Sequence, residues 1–341
     1  MTLSTNAPLL RPTDGSKFSL TRPPRPMLAR DADTIYWMSR YVERAEHVSR
    51  ILLVNSHLLI DVGDLDEELQ EQQWMSTVSI LHGGDLPPGS GPTPQRIAQH
   101  MTFNPDNPSS LLTCISRARE NARGIRETIS SEMWENLNTL YWWLRADDAQ
   151  QRFDESPDDF YRHVTTTSMM FQGLTDQTLP HDQRWMFAQL GKYLERIEVT
   201  TRVIGTKFDI LRAAEPLETP IRNIHWMAVL RSCCSIEAYR RHHIGDMDPL
   251  KVAAFLILEP AFPRSVRFAV AEAHDAISAI RAEANPRAID AAERVLGRLR
   301  TQLDYAEINE ILHNGLPAYL GSIQRDVSEA ALALQQAYFL L

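Results

Sequence analysis

The stretch Arg40–Arg50, RYVERAEHVSR, is written a second time in the same chain. Lys192–Arg202 reads KYLERIEVTTR, and Tyr41, Glu43, Arg44, Glu46 and Arg50 recur as Tyr193, Glu195, Arg196, Glu198 and Arg202, each 152 positions later. Working outward, Trp74–Met75 recurs at the same offset as Trp226–Met227. RIAQHMTFNPDNPSSL (Arg96–Leu111) then matches KVAAFLILEPAFPRSV (Lys251–Val266) at an offset of 155, which sets Pro105 on Pro260, Pro108 on Pro263 and Ser110 on Ser265. The extra residues fall in YRRHHIGDMDP, a loop-like run of the kind that tolerates insertion. A nearly constant offset over so long a span reads as a tandem duplication, with a period too long for a solenoid. The first copy is expected over residues 28–145 and the second over 180–303, with a connection at 146–179 and a tail at 304–341. The tail, YLGSIQRDVSEAALALQQAYFLL, has helical apolar spacing and is expected to dock on the body, with no copy of its own upstream.

The apolar periodicity is helical throughout. Asp33–Val62 reads as a long amphipathic helix, and EELQEQQWMSTVSIL and SEMWENLNTLYWWLR as two more. Within Pro108–Ile129, Leu111, Leu112, Ile115, Ala118, Ala122 and Ile125 fall three or four apart, the period of a buried helical stripe. Pro, Gly and Asn clusters separate these runs. No alternating strand pattern of useful length is present. The fold class expected is all-α: a helical bundle built from an internal tandem duplication with pseudo-two-fold symmetry, forming one domain over 27–341.

Composition agrees. The 341 residues include only 14 glycines, fewer than the ~7% of an average chain, so tight turns are few. A hydrophobic fraction of 43% is enough for a large core. The net charge of −9 argues against general nucleic-acid binding, which needs a basic footprint. Cys114, Cys233 and Cys234 show no metal or disulfide spacing and read as buried free thiols of a reducing compartment. Residues 1–26 are polar, with the breaker-rich run TRPPRP and no apolar leader segment, and are expected to form a disordered arm. The longest apolar run, VAAFLIL (Val252–Leu258), is too short to span a bilayer. These features predict a cytoplasmic protein that contacts neither membrane nor nucleic acid.

On a helical wheel, Tyr41, Val42, Ala45, Val48, Ser49 and Leu52 share one broad face, while Arg40, Glu43, Arg44, Glu46, His47 and Arg50 occupy the other. Glu46 precedes Arg50 by four residues, as Glu198 precedes Arg202, a spacing worth about 0.3–0.5 kcal/mol on an exposed helix. The simple reading is a solvated face. Yet Tyr36, Ile51 and Val54 project on the charged side too, as do Ala188, Val199 and Val203 in the second copy. A helix that is apolar on both sides is packed on both sides. Glu43, Arg44, Glu195 and Arg196 are then expected between the two halves, where buried charges must be paired. A structural lock and a polar site both fit that pattern.

MLARDADTIYWMSRYVERAEHVSR (Met27–Arg50), together with NPSSLLTCISRARENARGIRETISSEMWENLN (Asn107–Asn138), resembles the alpha-E family, bacterial all-helical proteins formerly classed as a domain of unknown function and named for a Glu–Arg motif. The resemblance covers Met27 to Leu341. It places the motif on Glu43–Arg44 and its duplicate on Glu195–Arg196, and makes residues 1–26 an added arm. It implies a genomic setting beside circularly permuted ATP-grasp proteins and transglutaminase-like cysteine peptidases, and so a part in forming or modifying a peptide or amide-linked metabolite. It carries no established catalytic residues.

Other chemistry finds less support. A di-iron site in a helical bundle needs two Glu-x-x-His pairs, and only Glu310–His313 has that spacing. His242 and His243 are adjacent and read as loop residues. No phosphate-binding glycine loop, no Gly-x-Ser-x-Gly and no obvious Cys–His pair occurs. Arg119, Arg123 and Arg126 could meet a phosphate or carboxylate, but Glu120 and Glu127 make a solvated face the more natural reading. Neither metal nor organic cofactor is expected. Two functions remain: an accessory or scaffold protein for an ATP-grasp ligase, or an enzyme whose duplicated Glu–Arg cleft binds an amino acid or peptide.

Overall fold

The first Glu–Arg motif lies on α1 (Ala29–Val62) and the second on α8 (Gln183–Ala213), and these two long helices pack against each other. The computed structural model describes residues 27–62, 67–87, 91–213, 218–243, 245, 247–280 and 286–340; the arm expected at 1–26 lies outside them. Between α1 and α8 come α2 (Glu67–Ile80), α3 (Pro94–Phe103), α4 (Leu111–Gly124), α5 (Ser131–Arg145), α6 (Ala149–Glu155) and α7 (Pro157–Thr178). After α8 come α9 (Thr219–Ser232), α10 (Ile236–His242), α11 (Pro249–Leu258), α12 (Val266–Ala279), α13 (Pro286–Asp304), α14 (Ile308–Asn314) and α15 (Leu316–Tyr338). Among the described residues there is no strand, so the chain is all-α.

Packing follows from two-sided burial. On α1, Val42, Ala45, Val48 and Leu52 are wholly buried on one side, and Tyr36, Ile51 and Val54 are buried on the other. Helix α1 accordingly packs against α4, α7 and α9 as well as α8. Helix α8 packs against α12, α15 and α2. Helix α5 bridges α4 and α7, and α13 bridges α12 and α15. The two long helices meet closely at Gly191: a Cβ there would run into the Tyr36 carbonyl oxygen and lie 3.2 Å from Ser39 Cβ. Only a glycine lets the two backbones approach so near.

Local signals set the helix ends. Thr93 caps α3 by accepting from Arg96 N at 3.3 Å, and Asp248 caps α11 by accepting from Leu250 N at 2.9 Å; a proline follows each cap. Ser110 and Ser265 cap α4 and α12 in the same way, accepting at 3.2 and 3.1 Å from Thr113 N and Phe268 N. Helices α2 and α9 both end in a left-handed residue that is not glycine, His82 with φ 50° and Cys234 with φ 53°. Each end is closed by a backbone bond reaching back five residues, Gly83 N to Val78 O at 2.8 Å and Ser235 N to Leu230 O at 2.9 Å.

The expected connection at 146–179 contains α6 and α7, and α7 packs along α1. Helices α14 and α15 share their layout, a seven-residue helix followed by a long helix with proline in its first turn. One expectation needs correction. His242 is the last residue of α10 and not a loop residue, because Tyr239 packs under this turn and His243 caps it through Tyr239 O at 2.9 Å.

Candidate functional site

Where α1 crosses α8, the two motifs exchange partners. Arg196 Nε and Nη2 donate to Glu43 Oε1 and Oε2 at 2.7 and 3.0 Å. Arg44 Nε and Nη2 donate to Glu195 Oε1 and Oε2 at 2.6 and 2.9 Å. Each glutamate is thus held in a two-pronged grip by the arginine of the other motif, the strongest geometry available to a guanidinium and a carboxylate. Arg40 adds a third clasp, with Nε at 2.8 Å from Glu195 Oε2 and Nη2 at 2.8 Å from Glu198 Oε1. Its Nη1 donates to the Tyr36 hydroxyl at 3.1 Å. Glu46 binds Arg50 through Nε at 2.7 Å, while Arg202 Nε donates to the Glu198 carbonyl at 2.9 Å. All nine motif residues singled out in the sequence therefore belong to one cluster.

Two contributors were not legible in the sequence. Arg264, in the turn before α12, donates through Nη1 to Glu46 Oε2 at 3.0 Å and stands 3.8 Å from Glu43 Oε1. Its register mate in the first half is Ser109, so the repeat offered no sign of it. His47 lies wholly inside, with Nε2 at 3.3 Å from Glu43 Oε1 and neither ring nitrogen in a well-formed hydrogen bond. Nothing in its spacing marked it beyond its place on the charged face.

Burial and charge act against each other here. Burial pushes Glu43 up, but Arg196, the nearby His47 ring and Arg264 overcome it and hold the carboxyl well below its ordinary range. Glu195 is likewise pushed up by burial and brought far below its ordinary range by Arg44 and Arg40. Glu46 settles at about 2, with Arg264 and Arg50 outweighing burial. A general acid or base works best with a pKa near the operating pH. These carboxylates are held ionised near neutral pH, and both oxygens of Glu43 and of Glu195 already accept from guanidinium groups. The arrangement is suited to clamping two helices together.

The same holds for metal binding. Among the described residues, Glu43, Glu46 and His47 bring ligand atoms within 4.8 Å of one another. Arg196, Arg264 and Arg50 already occupy those carboxylates, and a dication would sit against three guanidiniums. Glu310 and His313 lie exposed on α14. The thiols of Cys114 and Cys233 are buried, and burial first of all pushes each up to about 12. Arg119 and Arg123 pair with Glu120 on the surface, and Arg119 and Arg126 also lie over the Trp134 ring, a stacking the sequence did not announce. A cavity of about 340 Å³ opens between α1 and α4, lined by Asp33, Trp37, Tyr41, Arg117 and Glu120 among others; none of Glu43, Arg44, Glu195 or Arg196 lines it.

A family model described as "a predicted alpha-helical domain with a conserved ER motif" matches residues 27–339. The chain belongs to the Alpha-E family. An uncharacterized protein of Mycobacterium bovis is 23% identical over 329 residues, a match that covers 89% of this chain and 36% of that relative. Uncharacterized proteins from two strains of Mycobacterium tuberculosis match with the same identity and coverage. The chain spans little more than a third of the length of these curated relatives. No solved structure matches it. Among the described residues, no helix is long and apolar enough to cross a membrane.

Proposed function

We propose that this Alpha-E chain is an accessory or scaffold protein for a circularly permuted ATP-grasp ligase, with a transglutaminase-like peptidase as a second candidate partner. The observation that carries the reading is the closed exchange of partners between the motifs. Glu43 and Glu195 are filled by the opposing arginines, and the 340 Å³ cavity lies elsewhere. Such a clamp fixes a shape and leaves no reactive group free. The sequence has no phosphate-binding loop, so ATP chemistry would be the partner's. In the mycobacterial relatives the match occupies about a third of a longer polypeptide, as befits a module that works beside other domains. The alternative enzyme, with Glu43 or Glu195 as acid or base in a substrate cleft, has less support, because neither carboxylate has an open oxygen.

The reading includes the duplication. The matched caps at Thr93 and Asp248 and at Ser110 and Ser265, and the left-handed ends at His82 and Cys234, all fall at the sequence offsets of 155 and 152. With α6–α7 and α14–α15 added as counterparts, each unit would run from its long motif helix to a closing helix. Cytoplasmic location completes the proposal.

The test is co-expression with a circularly permuted ATP-grasp protein of the same genome, purification through a tag on one chain, and measurement of ATP turnover over an amino-acid panel. A stable complex whose turnover exceeds that of the ligase alone is the expected outcome. No complex and unchanged turnover would remove the scaffold reading.

A further inference from the structure

The cavity of about 340 Å³ between α1 and α4 lies outside the Glu–Arg clamp, yet the arginines of the clamp brace one of its walls. That wall is a stripe on α1, where Asp33, Trp37 and Tyr41 follow one another at intervals of one turn. The two rings lie 5.6 Å apart at 31° to each other. Arg40 stands over Trp37 at 5.3 Å and Arg44 over Tyr41 at 5.9 Å, so the two rings are held from the network side. A wall fixed in this way demands little ordering when a ligand arrives. The volume falls at the lower end of the range of small-molecule pockets.

Ions of opposite sign stand at the two ends of the stripe. Arg117, from α4, lies over the Tyr41 ring at 5.7 Å with Nη1 at 3.4 Å from the Tyr41 hydroxyl, and among the described residues it meets no carboxylate. Glu120, one turn further along α4, is taken by Arg119 and Arg123. Asp33 meets no cation among the described residues. Burial first of all pushes its carboxyl above the ordinary value, and the Trp37 side chain alone pulls the other way. Asp33 and Tyr41 are eight residues apart, about 12 Å along the helix axis. Ser116 and Asn121, half-buried at the same cavity, add side chains able to bond amide groups.

A carboxylate, two aromatic rings and a guanidinium in that order complement a ligand with an ammonium at one end, an apolar group in the middle and a carboxylate at the other end. The ligand's charges must lie on the order of 10 Å apart, the reach of an extended tripeptide. A free α-amino acid carries both charges on one carbon and cannot meet Asp33 and Arg117 together. We propose that the cavity between α1 and α4 binds a short zwitterionic peptide, with its N-terminal ammonium on Asp33, an apolar side chain on Trp37 and Tyr41, and its C-terminal carboxylate on Arg117. The site stands whether or not the chain serves a ligase.

The experiment is titration of the whole chain with alanyl-phenylalanyl-alanine, followed by calorimetry and by the Trp37 indole signal in nitrogen-15 NMR, assigned through Trp37→Phe. Saturable binding that moves the Trp37 signal is expected. The N-acetylated and the C-amidated forms of the same peptide should each bind about three- to fivefold more weakly, the scale of a solvent-accessible ion pair. Arg117→Gln should weaken the free peptide by a similar factor and leave the amide unchanged. Asp33→Asn should weaken the free peptide and leave the acetylated one unchanged. Arg117 is exposed and Asp33 half-buried, so both variants keep the fold. The proposal is overturned by no saturable binding at millimolar peptide, by binding that leaves Trp37 unmoved, by blocked peptides that bind as well as the free one, or by phenylalanine that binds as tightly as the tripeptide. Variants that weaken free and blocked peptides alike would overturn it as well.

Discussion

Glu43 and Glu195 answer for each other's arginines, so removing either carboxylate strands a buried cation. Glu43→Ala takes from Arg196 its two-pronged carboxylate, and Glu195→Ala does the same to Arg44 while removing one of the two carboxylates on Arg40. Breaking a buried pair costs about 3–5 kcal/mol, against under about 1 kcal/mol for an exposed one. Urea unfolding should show the larger loss for both variants. Glu120→Ala, whose arginine pairs lie on the surface, should show the smaller one. Losses below about 1 kcal/mol at both Glu43 and Glu195 would mean that the pairs do not hold the helices. The two-sided apolar pattern around Glu43 made this burial legible from the sequence, and the offset of 152 made its partner legible. Arg264 was not legible, because it reaches Glu46 from a turn 218 positions away and no copy of it stands in the first half.

At the scale of the helix, the crossing of α1 and α8 depends on Gly191. Gly191→Ala forces a methyl group against the Tyr36 carbonyl, and overpacking of this kind costs about 1–3 kcal/mol. Gly173, on α7, has nothing within 4 Å of where its Cβ would be, so Gly173→Ala should stabilise by about 0.5–1 kcal/mol through helix propensity alone. The two midpoints in urea should move in opposite directions; movement in the same direction would show that the crossing tolerates a wider gap. The long motif helices could be read from sequence because charge and apolar spacing coincide there. The likeness of α6–α7 to α14–α15 could not. A helix seam asks only for apolar residues of suitable volume, and many sequences supply them. The buried charges ask for particular side chains in particular places, and Glu43, Arg44 and Glu46 recur unchanged 152 positions later.

For the molecule as a whole, the network makes stability depend on acid. Glu43, Glu46 and Glu195 all titrate lower in the fold than in an unfolded chain. Their contribution is therefore complete above the ordinary glutamate range and is lost as pH falls through the folded values. For Glu46, held at about 2, the window runs from roughly pH 4.5 down to 2, and its share is on the order of 3 kcal/mol. Unfolding measured between pH 5 and pH 2 should show wild type losing stability faster than Glu46→Gln, with the gap between them closing by about that amount. A constant gap would mean that Glu46 is not held low in the fold.

The exchange of partners between α1 and α8 also sets a clock on synthesis. Glu43 leaves the ribosome some 150 residues ahead of Arg196, its only two-pronged partner. At about 5–20 residues per second, α1 waits roughly 8–30 s with its charges and its second apolar side unmatched. During that interval α2, α4 and α7 pack on an α1 that still lacks α8. Ribosomes stalled between the two motifs should therefore carry chains that limited proteolysis cuts more readily than the finished protein.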